Sequence, residues 1–360
     1  MSTFKVEVKR ISEIKPHNNA DKLEIGKVGG LDFQFVIEKG RYNVGELVVY
    51  FPVDSLLPQS LIDHLGITYL SGPNKNRVKT IKLRGEYSQG LIVSVDNLKH
   101  LLYESKNGDN VTKKLGVVKY EPPEKMTLIG RIRKLPLGLK KYDIEGYERY
   151  PKAVSYLLDK NVQVTEKMEG CNFSFCLTNK GKEFVNSRNN TLIELHYSIW
   201  QRLRNWWYGY KKPRKKNLFW EAFRSNPNIK TGAEKLLKNS DYKWVTVYGE
   251  LCGPSIQKNI YGLSKYKIFV FDVLTDKGWI DPKIVYETFS DDHVPILFEG
   301  IFSDYLEGKT ITEKSNGQSK IASTLREGIV IKPFESQDFP GLGRLILKKR
   351  SPEYLSKTDN

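Results

Sequence analysis

From Lys5 to about Asn97 apolar and polar residues alternate in short runs, at Asp32 to Glu38, Glu46 to Phe51, Arg77 to Leu83 and Gly90 to Val95, each cut by Gly, Pro or Asn. Short strands bounded by turn residues predict a small OB-type β barrel. The run Glu121-Pro122-Pro123-Glu124-Lys125 then interrupts the pattern, because proline has no N–H to donate and restricts the residue before it. This places a boundary between a domain of residues 1–125 and one of residues 126–360. Beyond it, strand candidates at Asn161–Thr165, Asn172–Thr178, Lys243–Tyr248, Lys267–Val273, Glu327–Lys332 and Gly343–Lys348 are separated by helical stretches. That mixture predicts an α+β fold of antiparallel sheets with flanking helices rather than a βαβ series, and no internal repeat is visible.

The 360 residues carry 58 Lys and Arg against 42 Asp and Glu, a surplus of +16, of which +4 lies in residues 1–125 and +12 beyond. A surplus of this size on both parts favours a polyanion, nucleic acid, as partner. Three cysteines without a C-x-x-C and five scattered histidines argue against a disulfide framework or a zinc site. No apolar stretch is long enough to cross a bilayer, and the alternating start Met1 to Val8 does not read as a signal peptide, so the expectation is an intracellular protein without a membrane partner. The segment His196 to Trp220 has seven basic residues, no acidic one and four of the six tryptophans, including the run Lys211-Lys212-Pro213-Arg214-Lys215-Lys216. Aromatics among cations suit base stacking and phosphate neutralisation. The alternative is a core helix beside a solvated basic loop.

Lys167-Met168-Glu169-Gly170 puts a lysine at the end of one strand candidate and a glycine before the next. Four other K-x-x-G matches occur, at Lys27, Lys82, Lys113 and Lys314, so the motif alone says little. Only Lys167 is followed by the ordered series Ser187-Arg188-Asn189, Tyr248-Gly249-Glu250, Phe269-Val270-Phe271-Asp272, Glu327-Gly328-Ile329-Val330-Ile331-Lys332 and Leu347-Lys348-Lys349-Arg350.

With that series the chain resembles the covalent nucleotidyltransferases, and among them the ATP-dependent RNA ligases that seal 3′-OH nicks and carry an N-terminal OB domain. The stretch Phe35 to Gly40, Val44 to Phe51 and Asp54 to Pro58 looks like that OB domain. The resemblance implies that Lys167 attacks the α-phosphate of ATP to form lysyl-AMP. It assigns Lys332 and Lys348 to that phosphate, and Glu250, Glu327 and Glu169 to the hydration shell of Mg²⁺ or Mn²⁺. Arg188 becomes the ribose and nucleotide contact, and Phe269 or Phe271 the aromatic under adenine. Glu166 joins the nucleotide-binding set, and Arg149 could reach the outgoing phosphates. A free lysine is only about one part in a thousand amine at neutral pH, so such a nucleophile needs nearby cations. Two positions depart from the family pattern: Glu169 stands where many relatives have Asp, and Lys348-Lys349-Arg350 replaces a Lys-x-Lys spacing. Either Lys349 or Arg350 could then supply the second cation, and strand alternation favours Arg350.

The implied function is sealing of 3′-OH/5′-phosphate nicks in duplex RNA, or in an RNA-containing duplex, by a monomer. The chain ends about ten residues after Arg350, which weighs against the capping and DNA-ligase arrangements with a further C-terminal domain. From another class, a non-catalytic OB-type single-strand binder would share the charge and the aromatics, but it would take no covalent label from ATP.

Overall fold

The computed structural model describes residues 4–121, 132–136, 139–194, 207 and 217–358. The expected boundary at Pro122–Lys125, the helix-like start at Trp200 and the basic run Lys211–Lys216 lie outside them. The chain divides into two compact units, one of residues 1–123, 145–156 and 349–360, the other of residues 124–144 and 157–348. A single cut at 125 therefore differs from the observed division, because two later segments group with the first unit. Their link is chemical: Lys349 Nζ lies 2.5 Å from Glu148 Oε1, with both side chains buried, and the Glu148 carbonyl accepts from Asp32 N at 2.8 Å. No local pattern encodes a partner 201 residues away.

In the first unit an antiparallel sheet runs in the order Gln34–Glu38, Leu23–Val28, Glu7–Pro16, Leu47–Phe51, Leu91–Ser94. The strand Leu47–Phe51 is apolar throughout because both its faces are covered. Val49 and Phe51 enter one cluster with Val6, Leu57, Leu98 and Val111; Val48 and Tyr50 enter another with Ile11, Val28 and Phe35. Gly90, at φ 123°, is required where the chain turns past Tyr50, since a Cβ there would meet the Tyr50 ring at 2.6 Å and the Phe51 carbonyl at 2.9 Å.

Among the described residues, two sheets of more than two strands hold most strands of the second unit. The larger runs Ile132–Lys134, Asn190–Leu192, Glu183–Asn186, Cys171–Thr178, Trp244–Cys252, Lys267–Thr275, Gly278–Trp279. One face carries Phe173, Phe175, Val245, Val247, Val270 and Val273 under the helices Leu218–Ser225, Asn228–Lys238 and Pro282–Phe289. The other sheet includes Leu347–Arg350, Gly328–Pro333, Asn161–Lys167 and Ile296–Ile301 in that order. The expected strand Gly343–Lys348 is in fact two: Gly343–Arg344 forms a hairpin with Asp338–Phe339, and Leu347–Arg350 joins the sheet. Leu345, Ile346 and Leu347 are all buried, which one alternating half-exposed strand cannot achieve.

The buried Lys349–Glu148 pair makes a stability prediction. Lys349→Met leaves an unpaired carboxylate in the core and should cost about 3–5 kcal/mol, whereas adding Glu148→Leu should recover most of that stability. Urea unfolding of the single and double variants measures it; equal destabilisation in both would mean that the two charges do not depend on each other.

Candidate active site

The site is built on one ladder. Strand Asn161–Lys167 pairs antiparallel with Gly328–Pro333, placing Lys167 opposite Gly328 and Gln163 opposite Lys332. Glu327, one residue outside the ladder, meets the lysine: Lys167 Nζ donates to Glu327 Oε2 at 2.7 Å. Directly paired residues share a face and side chains alternate, so Lys332 lies on the Lys167 face, two pleats along. Glu166 faces the other way, opposite Ile329; its Oε2 accepts from Lys320 N at 2.9 Å, and its buried Oε1 meets no hydrogen-bond partner among the described residues. Burial raises the Glu166 carboxyl above its usual range.

Between Lys167 and the larger sheet the chain turns through Gly170. A Cβ at that position would meet Leu251 O at 2.5 Å and Glu250 Cγ at 2.9 Å, so only glycine lets the turn lie against the Glu250 strand. The turn is pinned by its backbone, with Glu169 N donating to Tyr261 Oη at 2.8 Å and Cys252 Sγ donating to Glu169 O at 3.3 Å. Across the ladder Glu250 stands opposite Asn172. Burial pushes the Glu250 carboxyl up to about 8; Lys167 and Arg188 pull it down, and the like charge of Glu327 adds to the rise.

The pairing of Trp244–Cys252 with Lys267–Thr275 skips a residue at Phe271, matching Tyr248 to Asp272 and Gly249 to Val270. This bulge leaves the Phe271 carbonyl free of the ladder, and Lys332 Nζ donates to it at 2.6 Å. Phe269 is sealed in a cluster with Met168, Cys252, Tyr261 and Val294, while Phe271 is half-buried against Tyr142, with ring centroids 4.6 Å apart.

Asp272, fully buried, accepts two bonds of 2.8 Å from Arg344 and one from the Tyr142 hydroxyl, and Lys332 Nζ lies 3.7 Å away. Burial alone would raise this carboxyl; Arg344 and Lys332 outweigh it and hold the group below the usual range. Burial likewise depresses Lys332, with Asp272 opposing. Arg344 lies over the Trp279 ring at 4.1 Å. Tyr142 and Arg344 carry no motif in the sequence, and Asp272, though part of the Phe-Asp run, has no partner nearby in the chain.

Arg188 donates to Asp143 Oδ2 at 3.1 Å, and Lys348 Nζ lies 3.9 Å from Asp143 Oδ1. Within Leu347–Arg350 burial alternates, with Lys349 at 1% exposure turned to Glu148 and Lys348 and Arg350 half-buried. Lys349 is thus committed to a structural pair, which leaves Arg350 as the cation on the Lys348 face. Arg149 lies in the short helix Tyr147–Arg149 of the first unit.

The second unit therefore gathers an amine, two carboxylates, a buried ammonium and the Arg188–Lys348 pair. A lysine amine with cations arranged around it can attack a phosphorus centre and stabilise the charge that develops there. Among the described residues no three His, Cys, Asp or Glu side chains form a ready metal cage. Glu250 and Glu327 nonetheless suit a hydrated Mg²⁺ or Mn²⁺, which takes one or two carboxylates and fills its shell with water and phosphate; a cation there would offset the burial and the like charge of Glu327 that raise the Glu250 carboxyl. Among the described residues no helix is long and apolar enough to cross a membrane.

Comparison with known proteins gives two family matches, RNA ligase over residues 160–350 and an OB-fold domain over residues 5–95. No curated protein sequence matches. Among solved structures, the chain is similar to a mutant of the Naegleria gruberi RNA ligase with AMP and Mn, at 26% identity and a TM-score of 0.78, covering 98% of both chains. It is similar to the same ligase with PPi, at 26% identity and 0.78 over 99% of both. A mutant of that ligase with ATP and Mn matches at 26% identity and 0.78, over 98% of this chain and 99% of the other.

The Glu250 carboxyl predicts a pH dependence. The folded chain keeps this proton up to about pH 8, while an unfolded glutamate loses it near 4.5. The folded state therefore binds more protons in that window, and stability falls as pH rises through it. In a chelating buffer, Glu250→Gln should flatten the fall in melting temperature between pH 5 and pH 8, a difference on the order of a few kcal/mol. Coincident pH profiles for the two proteins would show that Glu250 is ionised throughout.

Proposed function

This chain belongs to the RNA ligase family, and from that premise we propose that it joins RNA 3′-OH and 5′-phosphate ends at nicks in a duplex, using ATP and a divalent cation, through lysyl-AMP and adenylylated RNA. The observation that carries this reading is the Lys167–Glu327 contact in a ladder that also puts Lys332 on the same face. The Lys167 amine attacks the α-phosphorus; an N–P bond forms as the bond to pyrophosphate breaks. AMP then passes to the RNA 5′-phosphate, and the 3′-OH displaces it as the phosphodiester forms.

In this reading Glu327 orients Lys167 and takes up its hydrogen bond, and Lys332 and Lys348 meet charge on the α-phosphate. Glu250 and Glu327 would hold the cation through its waters, with Glu169 behind them; the cation supplies charge neutralisation at the phosphates. Phe271 stacks under adenine, favoured over the sealed Phe269. Arg188 makes the ribose and nucleotide contact; the roles of Glu166, Arg149 and Arg350 toward the nucleotide rest on the family resemblance alone, and Glu166 faces away from Lys167 in the ladder. The OB-type unit secures the nicked duplex. Its exposed Lys82 and Arg84, with Lys79, lie on and beside the hairpin Thr80–Leu83 and Glu86–Gln89. The chain acts as a monomer.

Incubation with radiolabelled ATP and Mg²⁺ should label the wild-type chain and leave Lys167→Ala unlabelled, because Lys332, the other amine on that face of the ladder, is buried and held by the Phe271 carbonyl; label on the variant at the wild-type level would move the nucleophile elsewhere. A panel of nicked duplexes differing in RNA or DNA on each strand then shows which breaks are sealed. Replacing Lys79, Lys82 and Arg84 together with Gln should reduce the slope of log affinity against log salt by about 0.9 for each phosphate the protein no longer neutralises, leaving lysyl-AMP formation intact. An unchanged slope would remove this hairpin from the RNA interface.

A further inference from the structure

The segment running through Tyr142 and Asp143 lies within the set of residues assigned to the nucleotide. Tyr142 is its anchor. The phenol donates to buried Asp272, and the ring packs against Phe271, Tyr248 and Trp279 with centroids 4.6, 5.2 and 5.7 Å away. The Lys140 carbonyl accepts from Tyr248 Oη at 2.8 Å, a second fixed point two residues earlier. Held in this way, the next residue has little choice of position. Asp143 presents Oδ2 to Arg188 at 3.1 Å and Oδ1 to Lys348 at 3.9 Å, so one carboxylate faces two cations far apart in sequence, Arg188 in the turn between Glu183–Asn186 and Asn190–Leu192 and Lys348 on the strand Leu347–Arg350.

The geometry points to Asp143 as an internal anion that occupies the place of a phosphate between Arg188 and Lys348 and sets how tightly a phosphate ligand binds. The inference rests on the nucleotide-site reading above and goes beyond it. A carboxylate and a phosphate cannot both use the same two cations at 3 to 4 Å without strong like-charge repulsion, so the ligand must turn Asp143 aside. The pair is built to exchange. Asp143, Arg188 and Lys348 keep 37%, 40% and 29% of their side-chain surface in solvent, where an ion pair contributes only about 0–1 kcal/mol and a displaced carboxylate is readily rehydrated. The buried Tyr142 contact beside it is not of that kind, and it returns Asp143 to the cations when the ligand leaves. The role therefore differs from that of Asp272, which is buried and satisfied by protein donors on every side.

The test uses the full chain with Asp143→Asn and Asp143→Ala. Calorimetric titration with inorganic pyrophosphate should show both variants binding about three- to tenfold tighter than wild type, and the ATP concentration for half-maximal lysyl-AMP formation should fall by a similar factor, with unchanged melting temperatures. Pyrophosphate binding that is unchanged or weaker in both variants overturns the inference and makes Asp143 a strut that holds Arg188 in place. A wild-type chain that takes no label from ATP would overturn the proposed function, while the pyrophosphate titration would still decide the part played by Asp143.

Discussion

The antiparallel ladder between Asn161–Lys167 and Gly328–Pro333 fixes everything else in the second unit. A shift of one residue would turn Lys167 and Lys332 to the opposite face together, because side chains alternate along a strand. It would also separate Lys167 from Glu327, whose contact depends on Gly328 lying opposite the lysine. The apolar positions hold the register: Val162, Val164, Ile329 and Ile331 are buried to 0% exposure, and a slip would put the polar Gln163, Thr165 and Lys332 in their place. The placement of Lys167, Glu327 and Lys332 is thus specified by hydrophobic packing rather than by attraction between their charges.

Charges are managed in two ways. Asp272 and the Lys349–Glu148 pair are out of water, and each has its partners in bonding range. Such groups give little net stability but permit only one arrangement of the chains that carry them. Glu250 and Glu327 differ: Lys167 bonds to Glu327 at 2.7 Å, and burial drives the neighbouring Glu250 toward its neutral form. The first kind sets positions, and in the second a bound cation would favour the ionised form of Glu250.

Much of this was legible in the sequence. The strands bearing Lys167, Glu250, Phe271 and Lys332 follow from alternation, and their joint presence was read from the order of short motifs that a family resemblance made meaningful. The alternation expected at Lys348-Lys349-Arg350 is also present, with Lys349 buried against Glu148 and Lys348 and Arg350 half-buried. What stayed hidden are pairings without a local signature. Tyr142 and Asp272 are 130 residues apart and Arg344 and Asp272 are 72 apart, and no spacing rule joins them. The bulge at Phe271 breaks the alternation that would have put Phe269 and Phe271 in like surroundings. The split of Gly343–Lys348 was invisible for a related reason: Arg344 turns toward Asp272 while the following three residues bury themselves.

The Lys349–Glu148 contact, spanning 201 residues, also bears on the order of events during synthesis. The first unit's antiparallel sheet is contained within residues 7–94, yet the lysine that pairs with its buried Glu148 is made 201 residues after that glutamate. At translation rates of about 5–20 residues per second, some ten to forty seconds separate the two halves of that pair. For that interval Glu148 is without Lys349 and stays hydrated, so the unit's final closure is postponed until Lys349 has been made. The nascent chain is then open to chaperones and proteases at residues 145–156 for longer than its early sheet would suggest, and a ribosome stalled before Lys349 would leave the first unit with an unsatisfied core.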